Sequence, residues 1–430
     1  MLANYFQLPQ HGTDVRTELL AGLTTFLTMA YILFVNPAIL GAAGMPKEAV
    51  FVSTCLVAAI GSGIMGLYAN YPIGMAPGMG LNAYFAFAVV LGMGVPWQQA
   101  LGAVFISGCL FIIVTLCGLR AVIVNGIPAS LRTAITVGLG LFLALIALKG
   151  AGLVVANKDT IVSAGDLHQP AALMAIAGLL LVVTLDKLRV RGAILIGILV
   201  VTVLSFFFGG NQFAGIFSLP PSLAPTFLQL DLRGAFNGGI LNVVLVFFLV
   251  ELFDATGTLM GVAGRAGLLV EGKMDRLNKA LLADSTAIVA GSLLGTSSTT
   301  AYLESAAGVQ AGGRTGLTAL TVAVLFLASL FIAPLAGVVP AYATAPALLF
   351  VACLMLRELG DIDWSDTTEC IPAAITALVI PLTYSIAEGI AFGFITYAAL
   401  KLTTGHARQV APIVWIIAAL FLFKFAYLGG

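Results

Sequence analysis

Apolar runs of roughly one bilayer thickness follow one another along almost the whole of this 430-residue chain, separated by short polar connections. A helix rises 1.5 Å per residue, so about 20 apolar residues cross a hydrocarbon core of about 30 Å. The clearest runs lie near residues 19–38, 49–69, 98–118, 133–148, 171–186 and 192–210, then 238–260, 280–295, 315–339, 342–356, 370–385 and 387–403. Two more, about 73–95 and 296–312, are interrupted by Gly, Pro, Ser and Thr; counting them gives fourteen crossings. Residues 410–428 are apolar but carry Lys424, so 404–430 reads as a C-terminal segment that either crosses once more or lies at the interface. Hydrophobic residues make up 60% of the chain and charged residues 9%, whereas a soluble domain is about a quarter charged. That excludes a water-soluble enzyme, a disordered chain and a nucleic-acid binder. The fold class is an all-α polytopic membrane protein.

Residues 1–18 are polar, so no cleavable signal is expected and the first span acts as its own insertion signal. Placing this N-terminus in the cytoplasm leaves fourteen of the nineteen Lys and Arg residues inside and only Lys47, Lys149, Lys158 and Arg233 outside, with Lys424 in the last segment. Such a bias is what sets orientation in membrane proteins. Five Cys, all in or beside apolar stretches, fit neither a metal spacing nor a disulfide framework, and no cofactor or metal is expected.

The stretch Gly74–Phe85 cannot be one unbroken helix, because Pro77 lacks an N–H and Gly78 and Gly80 resist helix formation. A second interruption, Gly295–Gly308, is rich in hydroxyls that can replace lost backbone partners. Irregular backbone at membrane depth is tolerated where it is buried in protein or lines a cavity. Asn82 and Glu304 stand 222 positions apart, about half the chain, and each break is the third crossing of a seven-crossing half. With an odd number of crossings per half, the second half must enter from the opposite side. The expectation is a 7+7 inverted repeat, 19–210 and 238–403, joined by an extracytoplasmic linker at 211–237, with a binding site near the midplane.

Carboxylates inside a bilayer are functional candidates by default. Asp254 and Glu251 lie at i, i+3 on the eighth crossing, and two carboxylates on one face disfavour double ionisation. Glu304 directly follows the hydroxyl-rich break. No Lys or Arg within a span offers any of them a fixed counter-ion, which suits proton binding or uncharged ligands rich in N–H donors. Glu388 reads as a boundary residue in water, and Asp284 as a helix cap or loop brace. A flat, neutral nucleobase fits such a site, because a carboxylate accepts two adjacent N–H groups while an aromatic ring stacks on the base. Phe85 and Phe253 flank the key positions and are either stacking or packing residues.

The combination Ala21–Ile32, Phe34–Pro37, Ala76–Phe85, Leu252–Leu259, Gly295–Ser305 and Gly312–Leu317 resembles the nucleobase–cation symporter-2 (nucleobase–ascorbate transporter) superfamily. Within it, the sequence is similar to the azaguanine-type branch of adenine, guanine and hypoxanthine permeases over essentially the whole chain. The resemblance implies a core domain and a gate domain, with short strands before half-helices in the third and tenth crossings. It implies acidic base-binding residues at Asp254 and Glu304 and an Asn at Asn82; Phe85, Phe253, Thr300 and Ala83 are counted with them as substrate-binding candidates. It also points to the acidic stretch Asp361–Glu369, which otherwise reads as a solvated loop. Glu251 departs from the pattern in detail.

The function expected is import of purine nucleobases by proton symport, through an elevator-like alternation in a bacterial inner membrane. Glu304, Asp254 and Glu251 are the coupling candidates, and purine, proton and lipid the partners; self-association as a homodimer is left open. An anion exchanger of the same architecture is the alternative, although two site carboxylates oppose it. A channel lacks a continuous polar path, and an intramembrane protease lacks a second opposed Asp. His11, His168 and His406 fall in predicted loops.

Overall fold

A computed structural model of the chain describes residues 2–119, 123, 126–208, 215–235, 240–270, 273–274 and 276–427. Among the described residues, nine helices are long and apolar enough to cross a membrane, and four shorter apolar helices accompany them. The chain divides into two compact units, each drawing on both halves of the sequence: Met1–Leu116 with Ala147–Phe350, and Cys117–Ile146 with Val351–Gly430.

In the larger unit, α1 (Val15–Met29) starts at Asp14, whose carboxylate accepts the Thr17 N–H at 2.9 Å. It gives way at Ala30–Tyr31 to α2 (Ile32–Ala42). Helix α3 (Lys47–Ile64) widens into a π-helical turn, Met65–Ala69, before the chain becomes extended as β1 (Met75–Pro77). Helix α4 (Met79–Ala83) continues as a π-helical stretch, Tyr84–Gly92, and α5 (Trp97–Leu116) follows. Helix α6 (Ala129–Gly150) belongs mainly to the second unit. A hairpin, β2 (Val154–Asn157) and β3 (Ile161–Ala164), precedes α7 (Pro170–Lys187) and α8 (Ala193–Phe208).

In the second half of the chain, α9 (Leu241–Arg265) and the two-residue strands β4 (Leu269–Val270) and β5 (Lys273–Met274) lead to α10 (Leu277–Leu294). Gly295 then turns the chain with a left-handed φ of 88°, where an added Cβ would collide with Thr226. Strand β6 (Thr299–Ala301), the short α11 (Ser305–Gln310) and α12 (Gly316–Ala328) follow. Strands β1 and β6 pair antiparallel, with Met75 opposite Ala301, Ala76 opposite Thr300 and Pro77 opposite Thr299. The two interrupted segments therefore meet as strands and leave as short helices.

Burial follows from this arrangement. Tyr71, Ile73, Met75, Leu259, Val262, Leu281 and Ala287 share one buried cluster around the strand pair. Helix α11 lies close against α1, because Gly308 has no side chain: a Cβ there would strike Thr25 Oγ1 and Ala21 O. Small residues are how membrane helices approach closely when water supplies no driving force.

In the second unit, α6 is joined by α15 (Thr367–Thr383), α16 (Ile386–Thr403) and α17 (Pro412–Tyr427); between α12 and α15 in the chain come α13 (Ala333–Val338), which belongs to the larger unit, and α14 (Ala341–Leu356), most of which does too. Helix α17 comprises the C-terminal apolar segment and packs on α16. Lys424 Nζ meets Glu388 Oε1 at 2.7 Å, with the two side chains 12% and 21% exposed. This corrects the reading of Glu388 as a water-facing boundary residue without a counter-ion. The pair also explains how a lysine is tolerated in an apolar helix.

Candidate functional site

The breaks in the two apolar segments create the site, because they free backbone groups and bring side chains from distant segments to one strand pair. Beyond the ladder, the Gly78 N–H reaches Ser298 O at 2.9 Å, the Tyr302 N–H reaches Gly74 O at 3.0 Å, and the Gly74 N–H reaches Ser305 Oγ at 3.0 Å. Tyr302 Oη donates to Pro77 O at 2.6 Å. The irregular backbone at this point is thus satisfied from within the protein.

Glu304 occupies the N-cap position of α11 and is half-buried. Tyr31, at the break between α1 and α2, donates its hydroxyl to Glu304 Oε1 at 2.5 Å. Thr28 Oγ1 reaches the Glu304 carbonyl at 3.4 Å. Asp254 is half-buried on α9, whose residues pack against β6 and α11. Tyr302, 5% exposed, lies within electrostatic reach of both Glu304 and Asp254.

Asn82 is fully buried on α4. Its Nδ2 donates to Asn36 Oδ1 at 2.6 Å, and Asn36 Nδ2 donates in turn to Thr54 Oγ1 at 2.8 Å and Thr296 Oγ1 at 3.0 Å. This chain of side chains joins α2, α3, α4 and the segment after α10. The Asn82 Oδ1 atom and the hydroxyls of Ser297, Ser298, Thr299 and Thr300 are buried and make no hydrogen bond among the described residues. Buried polar atoms normally have partners, supplied by protein, water or ligand. Five unsatisfied oxygens around one strand pair mark a place built for something polar.

The remaining expected residues divide. Ala83 and Phe85 are fully buried, and Phe253 is 7% exposed. Glu251 is buried on α9, and its Oε2 accepts from Ser107 Oγ on α5 at 2.6 Å, so this carboxylate ties two helices together. Asp284 accepts the Ala301 N–H at 3.3 Å and so braces β6 rather than capping a helix. The acidic stretch 361–369 lies in the second unit: Asp366 caps α15 by accepting the Thr368 N–H at 2.8 Å. Glu369 meets Lys401 Nζ at 2.8 Å and also takes hydrogen bonds from Ser130 and Tyr397.

Tyr31, Asn36, Thr296 and Tyr302 join the candidate site through their hydrogen bonds and were not singled out by pattern reasoning. The available signal was weak but present: Asn36 is an amide in an otherwise apolar run, and Tyr31 precedes it by five positions.

A multi-helix membrane protein with two interrupted segments paired through strands has the construction of a permease. The chain belongs to the permease family of nucleobase–ascorbate transporters, whose family model matches residues 16–422. It is 49% identical to the adenine permease AdeP of Escherichia coli K12 over 431 residues, covering 100% of this chain and 97% of that protein. It is 45% identical to the guanine/hypoxanthine permease PbuO of Bacillus subtilis 168 over 427 residues, covering 97% and 99%. In fold it is similar to the transmembrane domain of a cyanobacterial bicarbonate transporter, BicA, with a TM-score of 0.66 at 17% identity, covering 87% of this chain and 97% of that one.

Proposed function

We propose that this chain imports purine nucleobases (adenine, guanine or hypoxanthine) across a bacterial inner membrane by proton symport. The observation that carries the reading is Glu304 at the head of α11, beside a strand pair ringed with unsatisfied buried oxygens. A purine presents N–H donors to carboxylates and ring nitrogens to hydroxyl or amide donors, so it complements such a ring. Relatives named for adenine and for guanine/hypoxanthine support this substrate class. The fold likeness to a bicarbonate transporter carries no substrate, and two site carboxylates oppose an anion.

In the proposed cycle a proton binds at Glu304 or Asp254 from outside, with Glu251 as a further coupling candidate. The base then binds among Asp254, Glu304, Asn82 and Thr300, beside Ala83, with Phe85 and Phe253 shaping the apolar walls. The loaded site moves in an elevator-like alternation between two states of similar energy, biased by ligand and proton. One charge falling through 100 mV supplies about 2.3 kcal/mol, an accumulation of about 50-fold. The proposal includes fourteen crossings as a 7+7 inverted repeat with core and gate domains and a cytoplasmic N-terminus.

The test is uptake of radiolabelled adenine, hypoxanthine, guanine, uracil and sulfate in a purine-uptake-deficient strain, with and without a protonophore. Protonophore-sensitive uptake of at least one purine is expected. Uptake of sulfate alone, or of no base by well-expressed protein, overturns the reading.

A further inference from the structure

The transport reading gives Asn36 on α2 and Thr54 on α3 no task. Both are fully buried, as are Asn82 on α4 and Thr296 just after α10, and all four belong to the larger unit. The hydrogen bonds that join these side chains run in one direction, and the direction decides what Asn82 offers a ligand.

The chain begins at Thr54, whose hydroxyl donates to Val50 O at 2.6 Å. A hydroxyl carries a single hydrogen, so toward Asn36 the Thr54 oxygen accepts. Asn36 Nδ2 is the donor, at 2.8 Å, and its other hydrogen goes to Thr296 Oγ1 at 3.0 Å. Asn36 therefore turns its Oδ1 to Asn82 and accepts from Asn82 Nδ2 at 2.6 Å. Turning the Asn36 amide over would set its oxygen against a hydroxyl whose hydrogen is spent. Two buried acceptors would then face each other, an arrangement that folded proteins avoid. The Val50 carbonyl thus fixes Thr54, Thr54 fixes Asn36, and Asn36 fixes Asn82. At the end of the chain stands Asn82 Oδ1, buried and without a partner among the described residues. An amide oxygen accepts, so its complement is an N–H group.

We infer that Asn36, held by Thr54, is a positioning residue for substrate: it keeps the Asn82 carbonyl oxygen as the open acceptor, so that the transported base lies with an N–H toward Asn82 and not a bare ring nitrogen. This rests on the purine reading of the site. Specificity follows from it, because a base lacking that N–H leaves the Asn82 oxygen unpaired, and sites built to hydrogen-bond a substrate group reject analogues without it.

The experiment measures purine uptake by the full-length protein in a purine-uptake-deficient strain, with competition by deaza and deamino analogues that each lack one N–H. Thr54→Val keeps the shape of the side chain and removes the acceptor that orients Asn36, while Thr54→Ser restores the hydroxyl. Asn36→Leu removes the connection altogether. Thr54→Val and Asn36→Leu are expected to raise KM by about tenfold, the worth of one neutral hydrogen bond, with maximal rate and membrane abundance within about twofold of wild type. Thr54→Ser is expected to match wild type. One analogue is expected to compete about tenfold less well than its parent base against wild type, and equally well against Thr54→Val and Asn36→Leu. A merely structural role would lower abundance and leave the ranking of analogues untouched. An unchanged KM in Thr54→Val, a Thr54→Ser variant that behaves like Thr54→Val, or an analogue ranking shared by wild type and both variants overturns the inference, while wild-type uptake leaves the purine reading standing. Absence of purine uptake by the wild type overturns both.

Discussion

Tyr31 and Glu304, 273 positions apart, share a hydrogen bond of 2.5 Å between the break in the first long apolar segment and the head of the short helix α11. The bond fixes one oxygen of a carboxylate in the candidate site. It also makes the first segment part of the site.

Removing that donor tests its contribution. A hydrogen bond to a charged group contributes about 1.5–3 kcal/mol. Tyr31→Phe keeps the ring and is therefore expected to weaken purine binding by about tenfold or more at unchanged membrane abundance, read as a rise in KM for uptake. An unaltered KM and maximal rate would show that Glu304 does not need this partner.

Asp254→Asn and Glu304→Gln preserve shape and remove charge. Each is expected to abolish accumulation of purine while protein abundance stays within twofold of wild type. Normal accumulation by both variants would remove the two carboxylates from the site.

Lys424 and Glu388 form a largely buried pair, so deleting one partner leaves the other charge uncompensated. Lys424→Met and Glu388→Gln are each expected to lower the unfolding temperature by several degrees. The double variant is expected to recover most of that loss. Additive losses would mean that the pair is not coupled.

Glu18 is fully buried and accepts from the N–H groups of Arg314, Thr315 and Thr318 and from the Thr318 hydroxyl, capping α12 from the start of α1. Glu18→Ala strands several buried donors, each costing about 1–3 kcal/mol. Marked loss of folded protein is expected, and Glu18→Gln should restore part of it. The measurement is fluorescence-detected size exclusion of detergent extracts.

Outside the helices, hydrogen bonds from the Thr368 hydroxyl and N–H, with a smaller contribution from the charge of Lys401, hold the Asp366 carboxyl below the usual carboxylate range. A depressed carboxyl stabilises the fold above its unfolded value, about 3.9, and that contribution is lost as pH falls through the folded value. Acid unfolding below about pH 4 should therefore be less steep in Asp366→Asn than in wild type, as followed by tryptophan fluorescence.

Much of the architecture was legible from local chemistry. Pro77 and Gly78 interrupt a helix wherever they stand, and Gly295 with the hydroxyl run after it does the same. What those interruptions become was not local. The register that sets Ala76 opposite Thr300 depends on two segments more than 200 residues apart.

The carboxylates show the same division. Their presence in apolar segments is visible in the sequence, but spacing alone grouped Glu251 with Asp254 on one helix face. Packing of α5 against α9 also gives Glu251 a hydrogen bond from Ser107, and Asp254 lies in electrostatic reach of Tyr302. Lys424 and Glu388 looked like separate anomalies until α16 and α17 packed together.

By itself, then, the sequence determined that the chain lives in a bilayer, where its helices are interrupted, and which charged groups it carries to membrane depth. Hydrophobicity, helix-breaking residues and ionisable side chains are properties each residue brings with it. Only the tertiary structure decided which partner each polar group found: Tyr31 for Glu304, Asn36 for Asn82, Ser107 for Glu251 and Glu388 for Lys424. The reason is that a polar group inside a membrane takes its partner from whichever helix packs beside it, and helix packing is set by surfaces far apart in the chain.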